Sequence, residues 1–223
     1  MIKFLTTATS GSQSLLRILS EYSKVTGIDL ELYRGAMFKS FKGINNVDKF
    51  VVNVRDPRDV WCNQYYWLIQ HPAPNEEAKL ARRRRYDRGI DASVLASAKG
   101  FSSDMAAKSI SKIIEDNRDN ENIIFVSYAQ LCVEFDLLVQ RLNNFFGVEP
   151  TKTHIDTIYK ESPKSLNDNK DWIGNQWQGC DIMPGRYKSE LKLETIDVLN
   201  SKIDVYLDLI KQIEVPKLKY LYE

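Results

Sequence analysis

The chain has 223 residues, 43% apolar and 11% aromatic, enough for the core of one α/β domain without disulfide or metal staples. Its 31 basic residues face 30 acidic ones, so no overall field points to nucleic acid or an anionic membrane, and any anion has to be held by local arrangement. Cys62, Cys132 and Cys180 form neither a C-x-x-C pair nor a zinc spacing, and no stretch reads as a signal peptide or a membrane span, so a soluble cytoplasmic protein with buried thiols is expected.

Residues 2–7 read as a short strand and 8–13 as a loop. A helix follows whose apolar positions Leu15, Ile18, Leu19, Tyr22 and Val25 share one face, with Gly27 as its stop. KFVVNV (Lys49–Val54) is a second strand, and its continuous apolar centre predicts burial on both faces of a parallel sheet. Asp56 then caps a helix that Pro57 opens, and Trp61, Tyr65, Leu68 and Ile69 recur along it until His71-Pro72-Ala73-Pro74 ends it. Charged residues 75–120 suggest two helical pieces, 76–87 and 103–117, with glycines and serines between them. Residues 123–126 form the third strand. Residues 134–146 carry the cleanest amphipathic stripe, capped by Gly147; a helix near 151–161, an irregular stretch over 162–187 and a helix near 191–213 complete the chain. This alternation predicts one α/β domain over residues 1–223, a central parallel sheet flanked by helices, with P-loop-like nucleotide-binding architecture and its ligand beyond the carboxyl ends of the strands.

Two segments at those strand ends carry chemistry. Thr9-Ser10-Gly11-Ser12-Gln13-Ser14 is a small, hydroxyl-rich loop between strand and helix, where free backbone N–H groups and the helix dipole converge as they do around a phosphate. The P-loop signature G-x-x-x-x-G-K-[ST] is absent, and the residues alone leave a plain N-cap loop equally open. Arg55 is a charge at the end of a buried strand. Either Asp56 or Asp59 neutralises it, or its guanidinium clamps a phosphate, with Asn63 eight residues on completing the pocket.

The segment VVNVRDPRDVWCNQYYWLIQHPAP resembles the one with which cytosolic and bacterial sulfotransferases hold the 3′-phosphate of 3′-phosphoadenosine 5′-phosphosulfate (PAPS). Arg55 matches the family arginine, and Asn63 stands where serine is usual. In that register Ser10, Gly11 and Ser12 match the family's 5′-phosphosulfate loop, which here spans Thr9 to Ser14 and includes Gln13. Thr9 replaces a Lys or Arg that touches the leaving oxygen, and Ser14 replaces a Trp that stacks on adenine. FVSYAQL resembles the family's Tyr-Glu-Asp-Leu corner and makes Tyr128 an adenine-side contact or a core-edge residue. GRYKSEL resembles a Gly-Arg-Trp-Arg/Lys element and offers Arg186 and Lys188 to the 3′-phosphate.

The resemblance implies in-line transfer of a sulfuryl group from PAPS to a hydroxyl or amine of a small molecule or glycan, with no metal and no nucleic-acid partner. It also implies a base and a cation. His71 resembles an acceptor-pocket histidine and is the first candidate for the base, with Glu31 as a second. Lys39, before Phe41 in place of the family histidine, is the candidate cation. Arg82 to Arg85, with Arg88, reads either as a solvated helical face paired with Glu76, Glu77 and Asp87 or as a surface for an anionic acceptor. Trp172 and Trp177 stand ready to stack on a sugar, cover the cofactor or pack in the core. A degenerate protein that binds PAPS or adenosine bisphosphate without turnover is the alternative, and the oligomeric state stays open.

Overall fold

A computed structural model of the chain describes residues 1–7, 10–101, 104–162 and 183–223. Four parallel strands, β1 (Ile2–Thr6), β2 (Leu30–Arg34), β3 (Lys49–Val54) and β4 (Ile123–Ser127), lie side by side in the order β2-β1-β3-β4. Thr6 pairs with Arg34 on one side and with Asn53 on the other, and Val54 pairs with Ser127, so the carboxyl ends form one rim.

Helices cover both faces because side chains alternate along each strand. Phe50, Val52 and Val54 of β3, with Ile123 and Phe125 of β4, face α2 (Pro57–Gln70), α4 (Ile90–Ala98), α5 (Met105–Asn117) and α10 (Leu193–Ile213). Val51, Ile124 and Val126 face α1 (Ser12–Thr26), α6 (Tyr128–Val133), α7 (Phe135–Phe146) and α8 (Lys152–Tyr159). This is the α/β class that the alternation predicts, and β3 is buried on both faces as its apolar run requires.

Several elements differ from the expectation. β2 goes unrecognised in the sequence because it is an edge strand whose LELYR carries polar residues and stays half-buried. The serines between Gly89 and Gly100 read as linker, yet they belong to α4, where Ser93 and Val94 are buried and α3 (Glu76–Tyr86) sends Arg85 to Ser93 Oγ at 3.0 Å. Tertiary packing there overrides weak helix propensity. A short α9 (Tyr187–Glu190) precedes α10, and a 3₁₀ segment, Pro216–Tyr222, closes the described chain. Asp56 caps α2 as expected, accepting from Arg58 N at 2.8 Å with Pro57 at its start. Among the described residues no helix is long and apolar enough to cross a membrane.

Two connections fix where a ligand can sit. The chain runs from β1 to β2 on one side, then crosses back to β3 on the other side of β1. The connections leaving β1 and β3 therefore part in opposite directions, and such a switch point opens a crevice beyond the strand ends.

Candidate functional site

Thr6, the last residue of β1, begins a buried polar ladder across the rim. Its hydroxyl donates to Asn53 Oδ1 at 2.8 Å and lies 2.7 Å from Ser10 Oγ, while Asn53 Nδ2 donates to Val126 O at 3.3 Å. Thr6 gives its one proton to Asn53, whose amide donates on to the β4 carbonyl, while Ser10 Oγ lies within reach of both Thr6 and the Thr7 carbonyl, the latter at 2.7 Å. All three side chains are fully buried. The ladder locks the start of the 10–14 loop to the two neighbouring strands.

Gly11 is the residue before α1 and takes a left-handed conformation, φ 75°. Among the described residues no side chain caps the helix there, and intrahelical bonding starts with Leu15 N to Gly11 O at 3.1 Å. The first-turn N–H groups of Ser12, Gln13 and Ser14 precede that bond and carry the positive end of the helix dipole. Ser12 and Ser14 are buried and Gln13 is exposed. Thr9 lies outside the described residues.

Arg55 follows β3 directly and is buried. Its guanidinium carbon lies 3.8 Å from the centroid of the Tyr128 ring, a cation–π contact at short range. The other face of the arrangement is Gly11: a Cβ built there would meet Tyr128 Cδ2 at 2.7 Å. Tyr128 thus joins the β1 loop to the β3 arginine, and only glycine fits against it. Burial holds its phenol well above the ordinary tyrosine range, so it stays a neutral platform.

Asp56 does not neutralise Arg55. Its carboxylate is taken by Arg58, through Nε at 3.0 Å and Nη2 at 2.6 Å, and Arg58 also reaches Asn200 on α10 at 2.8 Å and lies 3.9 Å from the Tyr187 ring. Asp59 is buried in the first turn of α2 and accepts from Gly185 N at 2.7 Å and Tyr187 N at 3.2 Å. Burial, then the neighbouring Asp56 charge, pushes the Asp59 carboxyl up to about 6, against the pull of Arg55 and the two N–H donors. Arg55, Asp56, Asp59, Tyr128, Gly185 and Tyr222 are among the walls of a small cleft with about 10 Å³ of enclosed space.

The remaining candidates are scattered. Asn63 is half-buried on α2, one turn beyond Asp59 on the same face. Arg186 is buried, but its Nε donates to Glu190 Oε1 at 3.0 Å and its guanidinium lies over Tyr66, and Pro184 and Gly185, rather than its side chain, line the cleft. Lys188 is exposed and donates to Tyr220 O at 3.4 Å. Lys39 is exposed in a 3₁₀ turn after the edge strand and does not line the cleft.

His71 caps the far end of α2, stacked on Trp67 at 4.9 Å. Fourteen residues separate that end from the Arg55 end, roughly 20 Å of helix at ~1.5 Å per residue. Glu31 sits near the start of β2, away from the rim. The arginine run divides: Arg83 pairs with Asp87 at 2.9 Å as a surface pair, Arg82 covers Trp67 and donates to His71 O at 3.0 Å, and Arg85 binds Ser93 on α4. Trp172 and Trp177 lie outside the described residues, as does Cys180.

Thr6, Asn53 and Tyr222 are site residues that sequence reading passed over, and Asp59 entered it only as a possible partner for Arg55. Asn53 had a signal, a polar amide inside an otherwise apolar buried strand. Tyr222 had none, because its place depends on Glu214, which accepts from both Tyr222 and Gln130 of α6.

No protein-family model matches the chain, and no curated protein matches its sequence. Among solved structures it is similar to the mouse sulfotransferase SULT7A1 complexed with PAP, with a TM-score of 0.62, 13% identity, and coverage of 95% of this chain and 87% of that one. At this identity the likeness establishes the fold, a sulfotransferase-type α/β architecture over nearly the whole chain, and leaves function to the site itself.

Proposed function

We propose that the chain binds PAPS, or the adenosine 3′,5′-bisphosphate left after transfer, at the β1/β3 switch point and moves a sulfuryl group to a hydroxyl or amine of a small molecule or glycan. One observation carries the reading: the uncapped N-terminus of α1 and the buried guanidinium of Arg55 are brought together by Tyr128 at the rim of the sheet. Two anion-holding devices at one crevice suit a ligand with phosphate groups at both ends. The solved neighbour is a sulfotransferase complexed with PAP, which supports the same ligand class.

In this reading the N–H groups of residues 12–14 hold the 5′ end of the nucleotide and stabilise charge there, while Arg55 pairs with the 3′-phosphate. The donor supplies an electrophilic sulfur and a phosphate leaving group. Tyr128 and Gly11 hold the two anion sites at a fixed separation, and the Ser10–Thr6–Asn53 ladder keeps the loop from sliding along the rim.

A second reading, nucleotide binding without turnover, is favoured by where the histidines lie. His71 is at the opposite end of α2, and His154 on α8 is bonded through Nδ1 to Glu21 at 2.9 Å. Calorimetry with adenosine 3′,5′-bisphosphate tests what both readings share. Micromolar binding is expected, with Arg55→Ala weakening it roughly 10–100-fold, the size of a lost charge-assisted hydrogen bond. No binding at high micromolar ligand refutes both readings. Transfer of label from PAPS over an acceptor panel then separates an enzyme from a binding protein.

A further inference from the structure

Asp59 is a carboxylate held the way a bound anion is held. Its two oxygens take the backbone N–H groups of Gly185 and Tyr187, and it shares a cleft with the Arg55 guanidinium. Gly185 adopts φ 87°, which turns the backbone so that both amides converge on one acceptor. The enclosed space of the cleft is about 10 Å³, far below the roughly 300–1,000 Å³ of whole-ligand pockets, so a phosphate reaching Arg55 has to press against Asp59. An anionic group entering beside Arg55 therefore meets a negative charge already seated there. The two charges repel in a site with little water to screen them.

Resting on the proposed nucleotide site, we infer that Asp59 is a built-in counter-anion of the phosphate subsite, and that a ligand phosphate binds there together with one proton, taken up by the Asp59 carboxyl. Once protonated, the carboxyl turns from a competitor into a donor that can hydrogen-bond a phosphate oxygen. One proton leaves solvent for each phosphate that enters, offsetting one of its two negative charges while Arg55 meets the other.

Other groups facing Asp59 do not titrate in its place. The Asp56 carboxylate is paired with the Arg58 guanidinium on the same helix turn. Burial pushes the phenols of Tyr128 on α6, Tyr187 on α9 and Tyr222 on the C-terminal segment, and the Cys62 thiol on α2, well above their ordinary ranges. Arg186 is paired with Glu190. Asp59 is left as the carboxyl whose proton affinity, about 6 in the free protein, a nearby phosphate will raise toward neutrality.

The test is calorimetry of adenosine 3′,5′-bisphosphate between pH 7 and 8.5, where the ligand's phosphates (second pKa about 6) are already ionised. Titrations in two buffers of different ionisation enthalpy count the protons. Uptake of about 0.4 proton near pH 7, vanishing by about pH 8.5, is expected, with affinity falling about twofold over that range. Asp59→Asn should take up no proton and bind about tenfold tighter at pH 8. The wild-type proton count stands on its own should that variant fold poorly. Binding with no proton uptake and a flat pH profile overturns the inference while leaving the nucleotide site intact. No binding at any pH overturns both together.

Discussion

Gly11→Ala is the perturbation that reaches the site through packing alone. A methyl at this position would lie 2.7 Å from Tyr128 Cδ2 and 2.9 Å from Leu131 Cδ2, and ordinary contact begins near 3.4 Å, so the ring has to retreat by about 0.7 Å. Both neighbours are buried, and the Tyr128 ring also carries Arg55, 3.8 Å from its centroid. The left-handed backbone, φ 75°, adds roughly 1–2 kcal/mol for a residue with a Cβ, and forcing the methyl into a packed site adds roughly 1–3. A total of roughly 2–5 kcal/mol corresponds to a Tm loss of roughly 4–20 °C for a chain of this size. Displacement of Arg55 with the ring should also weaken adenosine 3′,5′-bisphosphate by about tenfold or more, since a shift near 1 Å can cost up to ~100-fold at a positioned group. Gly27→Ala is the control: its φ is 69° but no atom lies within 4 Å, so it should lose only the backbone term. Scanning calorimetry and nucleotide titration of both variants check the difference. Equal Tm losses and unchanged affinity in Gly11→Ala would refute the claim that Tyr128 couples the loop to Arg55.

Three further changes follow from the same geometry. Arg58→Ala leaves the buried Asp56 carboxylate without its partner and should cost about 3–5 kcal/mol in urea unfolding. Tyr222→Phe removes a 2.8 Å bond to the Glu214 carboxylate, which keeps Gln130 Nε2 at 2.7 Å. A loss of about 1.5–3 kcal/mol is expected, with faster amide exchange confined to Pro216–Tyr222. Lys3 first, then Asn45 and the N-terminal ammonium, hold Asp48 well below the usual carboxylate range. Its contribution to stability is therefore present above the unfolded value of about 3.9 and lost as pH falls through the lower folded value, so Asp48→Asn should flatten the acid limb of the Tm profile below about pH 4.

Period and punctuation made the buried part of the fold legible. Lys49–Val54 and the stripe of α7 are strong patterns because each is dictated by burial on known faces. The edge strand β2 and helix α4 were illegible because partners distant in sequence make them: β1 pairs with β2, and Arg85 and the core hold α4. The site divides in the same way. Arg55 and the loop around Gly11 could be read from residue type at a strand end, and the structure puts both against Tyr128. His71, chosen for its resemblance to an acceptor-pocket histidine, lies at the far end of α2 from Arg55, a separation that a rigid helix fixes. Asp59 was visible only as a possible partner for Arg55; its actual partners, the amides of 185 and 187, are more than 120 residues away.

The central claim is that the loop after β1 and the arginine after β3 grip the two ends of one nucleotide. A crystal structure of the protein grown with adenosine 3′,5′-bisphosphate tests it most directly. One phosphate is expected within hydrogen-bonding distance of the first-turn amides of α1 and the other against the Arg55 guanidinium. A nucleotide bound elsewhere, or a cleft at Arg55 without phosphate at saturating ligand, would contradict it.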